Sequence, residues 1–191
     1  MKIHLYKIIG LIFLTIITAF QTKAQPKIGK AIKASIGYGI SVPYDYEDII
    51  GTGFYAQAEY VIGISKWFGI KPYAGLILTS ENKDNKSNPF GYKVTSNAFL
   101  LGGKARICAP IPYVAPYIEV GIGLSAGSFE TYTAKTNDIQ KKGILPHIPF
   151  SIGLALGKKH NVDVEFTYYY HPAVEQFSGA MALGFSIPLD K

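Results

Sequence analysis

The sequence predicts an all-β fold: an eight-stranded, antiparallel, up-and-down barrel that spans a membrane and follows a cleaved signal peptide. Three observations predict it. Apolar and polar residues alternate with a period of two in eight segments, an export signal occupies the N-terminus, and the connections alternate between long and short. Successive side chains of a strand point to opposite faces, and a sheet in lipid has to close because its edges would otherwise carry unpaired backbone groups.

The N-terminus is typical of a secretory signal peptide. Lys2 and Lys7 precede an apolar run at residues 8–20, and Ala24 offers a small residue before the expected cut. The run is shorter than the roughly 20 residues of a spanning helix, so we expect a signal peptide at 1–24 and a mature barrel at 25–191. Cleavage removes three lysines, which lowers the net charge from +6 to +3.

The first four predicted strands each separate apolar side chains from polar or small ones. They span residues 31–42, 53–65, 70–79 and 94–108. Outward positions include Ile36, Phe54, Leu76 and Phe99. Inward positions include Ser35, Glu59, Tyr73 and Lys104. One face of each strand therefore suits lipid and the other suits a polar interior.

The last four predicted strands repeat this alternation. They span residues 113–127, 146–156, 162–171 and 178–188. Outward positions include Ile118, Phe150, Val164 and Leu183, and inward positions include Glu119, Ser151 and Glu165. Within Tyr168-Tyr169-Tyr170, the outer two residues face lipid and Tyr169 fills the interior.

The loop lengths predict the orientation. Connections 43–52, 80–93 and 128–145 are longer than those after strands 2, 4 and 6, although the one after strand 7 is short. Outer-membrane barrels have short periplasmic turns and longer external loops, so the three long connections face the outside. Aromatic residues near predicted strand ends suggest interfacial belts: Phe54, Trp67, Phe68, Tyr113, Tyr117, Phe129, Phe150, Tyr168, Tyr170 and Phe185.

Charged residues on the inward positions predict what fills the lumen. They are four bases and four acids: Lys33, Lys71, Lys104, Arg106, Glu59, Glu119, Asp163 and Glu165. A barrel of eight strands is just wide enough to be filled by side chains, and a buried charge without a partner is costly. We therefore expect an ion-pair network rather than an open pore, with a narrow path for ions or small solutes as the alternative.

Few residues suggest catalysis, metal binding or nucleic-acid binding. His171 lies at the predicted outer end of strand 7, with Glu175 and Ser178 nearby, and this is a weak candidate for a hydrolytic set. The single cysteine, Cys108, excludes an intramolecular disulfide and a cysteine metal cluster. No metal or cofactor is predicted. The chain has no dense Lys/Arg run, so no nucleic-acid partner is predicted either.

The signal, the eight alternating segments and the loop asymmetry resemble the small outer-membrane barrels of the OmpA/OmpX type. This resemblance implies an integral protein of a Gram-negative outer membrane that contacts lipid and lipopolysaccharide. It also implies insertion by the barrel-assembly machinery, and we expect a monomer. The chain departs from the pattern at its end, where Phe185 is followed by Ser-Ile-Pro-Leu-Asp-Lys instead of closing the chain as a terminal aromatic residue.

The predicted function is structural or surface-interacting, and it is not enzymatic. Loops on a rigid scaffold are where binding usually resides, and loops 43–52, 80–93 and 128–145 reach the outside. Three alternatives stay open: a lipid-modifying enzyme similar to lipid A deacylases that uses His171, a small-solute channel, and a soluble lipocalin-like exported barrel.

Overall fold

The computed structural model describes residues 28–44, 49–81, 91–134 and 138–189. The predicted signal peptide and the last two residues lie outside the described residues. The eight strands are β1 (Gly29–Pro43), β2 (Gly51–Gly63), β3 (Phe68–Glu81), β4 (Lys93–Cys108), β5 (Val114–Tyr132), β6 (Ile139–Leu156), β7 (Val162–His171) and β8 (Gln176–Pro188). No helix among the described residues is long and apolar enough to cross a membrane.

Each strand pairs antiparallel with its sequence neighbours, and β1 pairs with β8 to close the barrel. The predicted fold class is therefore confirmed. We call the end that holds Gly29 and Pro188 the periplasmic end and the opposite end the outer end, following the usual orientation of barrels with an even number of strands.

The alternation in the sequence sets which side chains are buried. On β1, Lys33 and Ser35 are buried while Ile32 and Ile36 are exposed on the outer surface. The same alternation recurs on the other strands, and the exposed side includes Ile122 and Ile187, two of the most exposed apolar residues. An apolar outer surface around a polar interior is the arrangement that lipid requires.

The prediction of a long loop at 128–145 is wrong. β5 has 19 residues and β6 has 18, and their pairing continues from Ser128↔Lys142 to Thr131↔Ile139. A spanning strand needs only about 9–11 residues, so this hairpin extends past the membrane. Its polar side chains made it look like a loop, but outside lipid both faces of a strand can be solvated, and the pairing itself needs no apolar face.

The extended part of β6 lacks a neighbour on one side. β7 pairs with β6 only from Ile148↔Tyr170 to Leu156↔Val162. Within the described ranges, residues 139–147 therefore pair with β5 alone, and side chains on both faces at 140–144 are exposed. This segment is a free strand edge at the outer end, and we call it the β6 edge.

Most of the aromatic residues near strand ends face outward, but two of them do not. Trp67, Tyr113 and Phe185 are exposed on the outer surface. Tyr117 and Phe129 are 3% and 1% exposed and point into the lumen. Their assignment to an interfacial belt was wrong because both lie on the inward positions of β5, whose alternation continues unbroken into the extended hairpin.

Candidate functional site

The lumen is filled by side chains, and its periplasmic half is charged. The eight ionisable residues that the sequence places inward all lie there, on β1, β2, β3, β4, β5 and β7. Seven of them have side chains that are 0–1% exposed, and Arg106 is 14% exposed. They form one continuous set of ion pairs, which we call the lumen network.

Glu59 and Glu119 are the centre of the lumen network. Lys104 Nζ lies 2.6 Å from Glu59 Oε1 and 2.8 Å from Glu119 Oε2. Lys71 also bridges the two, with Nζ 2.8 Å from Glu119 Oε1 and a close contact to Glu59. Lys71 and Lys104 thus bind both carboxylates and join β2 to β5 across the lumen.

The second part of the lumen network reaches β1 and β7. Lys33 Nζ lies 2.5 Å from Glu165 Oε2, 3.3 Å from Glu59 Oε2 and 3.8 Å from Asp163 Oδ1. Arg106 donates from Nε to Glu119 at 2.6 Å and from Nη2 to Asp163 at 3.0 Å. Every base therefore contacts at least two acids.

The charges of the lumen network cancel when all eight groups are ionised. Glu59, Glu119 and Glu165 each place an oxygen within 4.8 Å of the others, an arrangement that could hold a metal ion. The ammonium groups of Lys33, Lys71 and Lys104 already contact these carboxylates. The lysines thus supply the positive charge that a metal ion would otherwise bring.

The outer half of the lumen holds no charged side chain among its buried described residues. Buried hydroxyls join there in pairs: Ser41 with Thr79 at 2.9 Å, and Ser96 with Ser178 at 2.6 Å. An apolar cluster packs beside them. Its largest members are Tyr55, Tyr73, Phe129 and Tyr169, with Ile77 and Leu100 beside them.

Two buried histidines meet at one serine in this outer half. Tyr73 Oη lies 2.5 Å from His147 Nε2, His147 Nδ1 lies 2.7 Å from Ser125 Oγ, and Ser125 Oγ lies 2.8 Å from His171 Nε2. With both imidazoles neutral, every contact is satisfied when Tyr73 donates to His147, His147 to Ser125 and Ser125 to His171, or when all three bonds are reversed. The four groups form a directional chain from β3 to β7.

Two glycines make room for this chain. Gly102 on β4 faces Gly123 on β5. A Cβ at Gly123 would lie 2.4 Å from His147 Nε2 and 2.5 Å from Tyr73 Oη, and a Cβ at Gly102 would lie 2.7 Å from Tyr73 Oη. The Tyr73–His147 contact therefore depends on two neighbouring positions without side chains.

A second chain of hydrogen bonds joins the two halves of the lumen. Tyr169 donates to Gln57 Oε1 at 2.7 Å, and Gln57 Nε2 donates to Glu59 at 2.8 Å. Tyr55 Oη lies 2.9 Å from Tyr169 Oη and donates to it, because the proton of Tyr169 is already directed to Gln57.

The candidate hydrolytic residues are not brought together. His171 is fully buried and contacts Ser125, while Ser178 bonds Ser96 across the lumen. Glu175 is exposed in the β7–β8 turn with φ 49°. The reason is register: Ser178 lies opposite Tyr169, and His171 lies opposite Gln176. Sequence reasoning missed Ser125 and His147 as partners, although both lie on inward positions of their strands.

Solved structures of outer-membrane barrels share this fold. Neisserial surface protein A matches with TM-score 0.54 and 13% identity over 84% of this chain and 97% of its own. OprG of Pseudomonas aeruginosa matches with TM-score 0.49 and 8% identity over 86% and 99%. Ail, the attachment invasion locus protein of Yersinia pestis, matches with TM-score 0.46 and 16% identity over 83% and 99%.

The comparison confirms the fold resemblance that the sequence predicted. No protein-family profile and no curated protein sequence matches this chain. The solved neighbours are bacterial outer-membrane barrels, and the chain shares their closed eight-strand architecture. These likenesses show the fold alone, and the apolar outer surface of the closed barrel is the feature that fits the predicted outer-membrane localisation.

Proposed function

We propose that this protein is an outer-membrane barrel with a packed lumen that acts on the cell surface by contacting partners through its outer loops. The observation that carries the proposal is the β6 edge, where residues 139–147 pair with β5 alone. We further propose that the protein is a monomer, that the barrel-assembly machinery inserts it, and that it contacts lipopolysaccharide.

The β6 edge offers backbone groups for pairing. An unpaired strand presents a row of N–H and C=O groups that an extended segment of another protein can complete. Lys141, Lys142 and Ile144 are exposed along this edge, so side chains of both kinds are available to a partner. The paired arm of β5 behind it holds the edge in an extended conformation.

The hairpin is tested by shortening it without breaking its register. Replacing residues 126–144 with Asn-Gly removes residues 139–144 of the β6 edge and leaves Ser125↔Leu145 next to the turn. Adhesion of cells that display the protein is measured on surfaces coated with gelatin, heparin or albumin. We expect the full chain to raise retention on at least one coat and the shortened chain to lose that gain.

A matched control shortens a different outer connection. Replacing residues 83–89 with Gly-Ser leaves β3 and β4 intact and should keep the adhesion. Equal retention by the full chain and the shortened hairpin would refute the role of the β6 edge, provided that both variants reach the outer membrane in equal amounts.

The packing of the lumen favours a closed barrel over the channel alternative. The lumen network crosses from β1 to β5, and Lys104 and Glu59 are buried at its centre. An ion in transit would have to separate these pairs and lose hydration. We expect no unit conductance above the baseline in planar bilayers, and reproducible conductance steps would restore the channel.

The geometry also disfavours the lipid-modifying enzyme. Among the described residues, Ser125 is the serine that contacts His171. Both side chains are fully buried. A nucleophile has to reach its substrate. A His171→Ala variant should leave the lipid A of the host unaltered, whereas a changed acylation pattern would support the enzyme.

The soluble lipocalin-like alternative is tested by location. Boiled and unboiled samples of membrane fractions are compared by gel electrophoresis. We expect the protein in the outer-membrane fraction with a mobility shift on boiling. A soluble periplasmic protein without a shift would support the soluble barrel and overturn the membrane assignment.

A further inference from the structure

A cavity of about 240 Å³ lies at the periplasmic end, below the lumen network. Its wall includes the periplasmic ends of β1 to β6 and of β8, and the β6–β7 turn at Lys159, His160 and Asn161. The cavity is at the opposite end of the barrel from the β6 edge. A ligand in this cavity would act independently of the β6 edge, so a test of one can fail without affecting the other.

The polar part of the wall is basic. Arg106, Lys30 and Lys159 line the cavity, and the part of its wall that the structure describes contains no aspartate or glutamate. Arg106 is the one member of the lumen network whose side chain is 14% exposed. Its guanidinium is held 3.6 Å from the ring centroid of Tyr117 and by two carboxylates, so it presents a fixed positive group to the cavity.

His160 points to a missing ligand. It is 8% exposed, and its Nε2 donates to the carbonyl oxygen of Ile111 at 3.0 Å. Its Nδ1 atom is buried without a hydrogen-bond partner among the described residues. Buried polar atoms in native proteins are nearly always paired. Because Nε2–H is donated to Ile111, Nδ1 is an acceptor, and a water molecule can join it to an anion in the cavity.

Apart from Ser65, Asn161 and Ser186, the rest of the wall is apolar or glycine. Val61, Phe68, Ala115 and Ala155 line the cavity. At about 30 Å³ per water molecule, its volume corresponds to about eight waters or to a ligand of similar bulk. A mixed wall of this kind, apolar with a few fixed polar groups, is typical of small-molecule sites.

We propose that this cavity binds a small organic anion, with its acidic group toward Arg106, Lys159 and His160 and a short apolar body against Val61 and Phe68. Hexanoate is the probe that fits this description. Free organic acids and the phosphate groups of membrane lipids share the anionic chemistry, and the proposal commits to a free acid that enters from the periplasmic side.

Cys108 gives a direct readout because it is the single cysteine and lines the cavity. The full barrel is placed in nanodiscs of zwitterionic phosphatidylcholine. Its reaction rate is measured with two methanethiosulfonate reagents, one carrying a sulfonate and one a trimethylammonium group. Charged clefts change encounter rates by about tenfold or more, so we expect the anionic reagent to react roughly tenfold faster, and hexanoate to slow it more than hexanol or hexylammonium does.

Variants locate the effect within the cavity. Lys159→Gln should reduce the preference for the anionic reagent, whereas Lys158→Gln, which alters a neighbour outside the cavity wall, should not. His160→Asn should weaken the protection by hexanoate, and asparagine tolerates the left-handed backbone at this position, where φ is 49°. The intact fold of each variant is checked by its mobility shift on boiling.

Several results would overturn the proposal. Equal rates for the two reagents would mean that the cavity wall does not favour anions, and no reaction with either would mean that the cavity is closed to molecules from solution. Equal protection by hexanoate, hexanol and hexylammonium would mean that only the apolar wall matters. Protection that appears only when phosphatidylglycerol is added to the nanodiscs would assign the site to a lipid phosphate instead of a free acid.

Discussion

Both halves of the lumen are filled by side chains, but the kinds of side chain differ. The periplasmic half is filled by four bases and four acids that pair across six strands. The outer half is filled by hydroxyls, two histidines and apolar side chains. Both halves have nearly all of their polar atoms in contact with another group, but only the first depends on a balance of charge.

This difference predicts how much stability each half loses when one of its residues is substituted. Removing one charge from the lumen network leaves its partners buried with a net charge, which low-polarity surroundings penalise heavily. Removing one hydroxyl from the outer half costs hydrogen bonds between neutral groups, which are weaker. We therefore expect variants in the periplasmic half to lose more stability than variants in the outer half.

The largest loss is expected for Glu119→Gln. Glu119 contacts Lys71, Lys104 and Arg106, so the variant leaves an excess positive charge at the centre of the network. We expect a loss of about 3–5 kcal/mol in the free energy of unfolding, measured by urea unfolding in lipid vesicles with Trp67 fluorescence. Glu175→Gln, on an exposed turn, is the control. Unchanged stability of the Glu119 variant would refute the network as a source of stability.

A smaller loss is expected for Gly123→Ala in the outer half. The added methyl would press on His147 and Tyr73 and lie 2.7 Å from the Leu101 carbonyl oxygen. Such overpacking costs about 1–3 kcal/mol. Gly103→Ala on the neighbouring strand is the matched control, because its Cβ would meet nothing within 4 Å. Equal behaviour of the two variants would contradict the tight Tyr73–His147 contact.

Ser125→Ala tests the directional chain itself. The variant removes both contacts that Ser125 makes, to His147 and to His171. Because the groups are neutral, we expect a loss of about 1–2 kcal/mol in the free energy of unfolding. Ser80→Ala, at an exposed hydroxyl, is the control. A loss as large as that of Glu119→Gln would show that the outer half depends on its polar contacts as strongly as the periplasmic half does.

The smallest loss of stability is expected when an ion pair between β4 and the extended hairpin is removed. Lys93 and Glu130 form an ion pair at 2.8 Å, with side chains 34% and 25% exposed. Exposed pairs contribute about 0.2–1 kcal/mol and weaken with salt. Lys93→Gln should therefore lower the stability by less than the other variants, and the difference should shrink in concentrated salt. A salt-independent loss would point to packing instead of charge.

The sequence predicted the barrel well because lipid requires apolar side chains on the outer face of every strand. Ile36 and Lys33 had to face opposite sides of β1, and each later strand repeats that requirement. The inward placement of all eight charged residues followed from the same alternation. The length of the β5–β6 hairpin did not follow, because outside lipid the alternation loses its meaning: Lys141 and Lys142 are exposed on a strand as they would be on a loop.

The sequence by itself determined the number of strands, their order, and which side chains enter the lumen, since these depend on neighbours along the chain. Only the tertiary structure decided which inward residues meet. The register between strands brought Ser125 to His147 and His171, although 22 and 46 positions separate them in the chain. It also placed Ser178 against Ser96, and among the described residues it gave β6 no second neighbouring strand before Ile148. Contacts of this kind depend on strand stagger across a closed barrel, which no alternation within a single strand specifies.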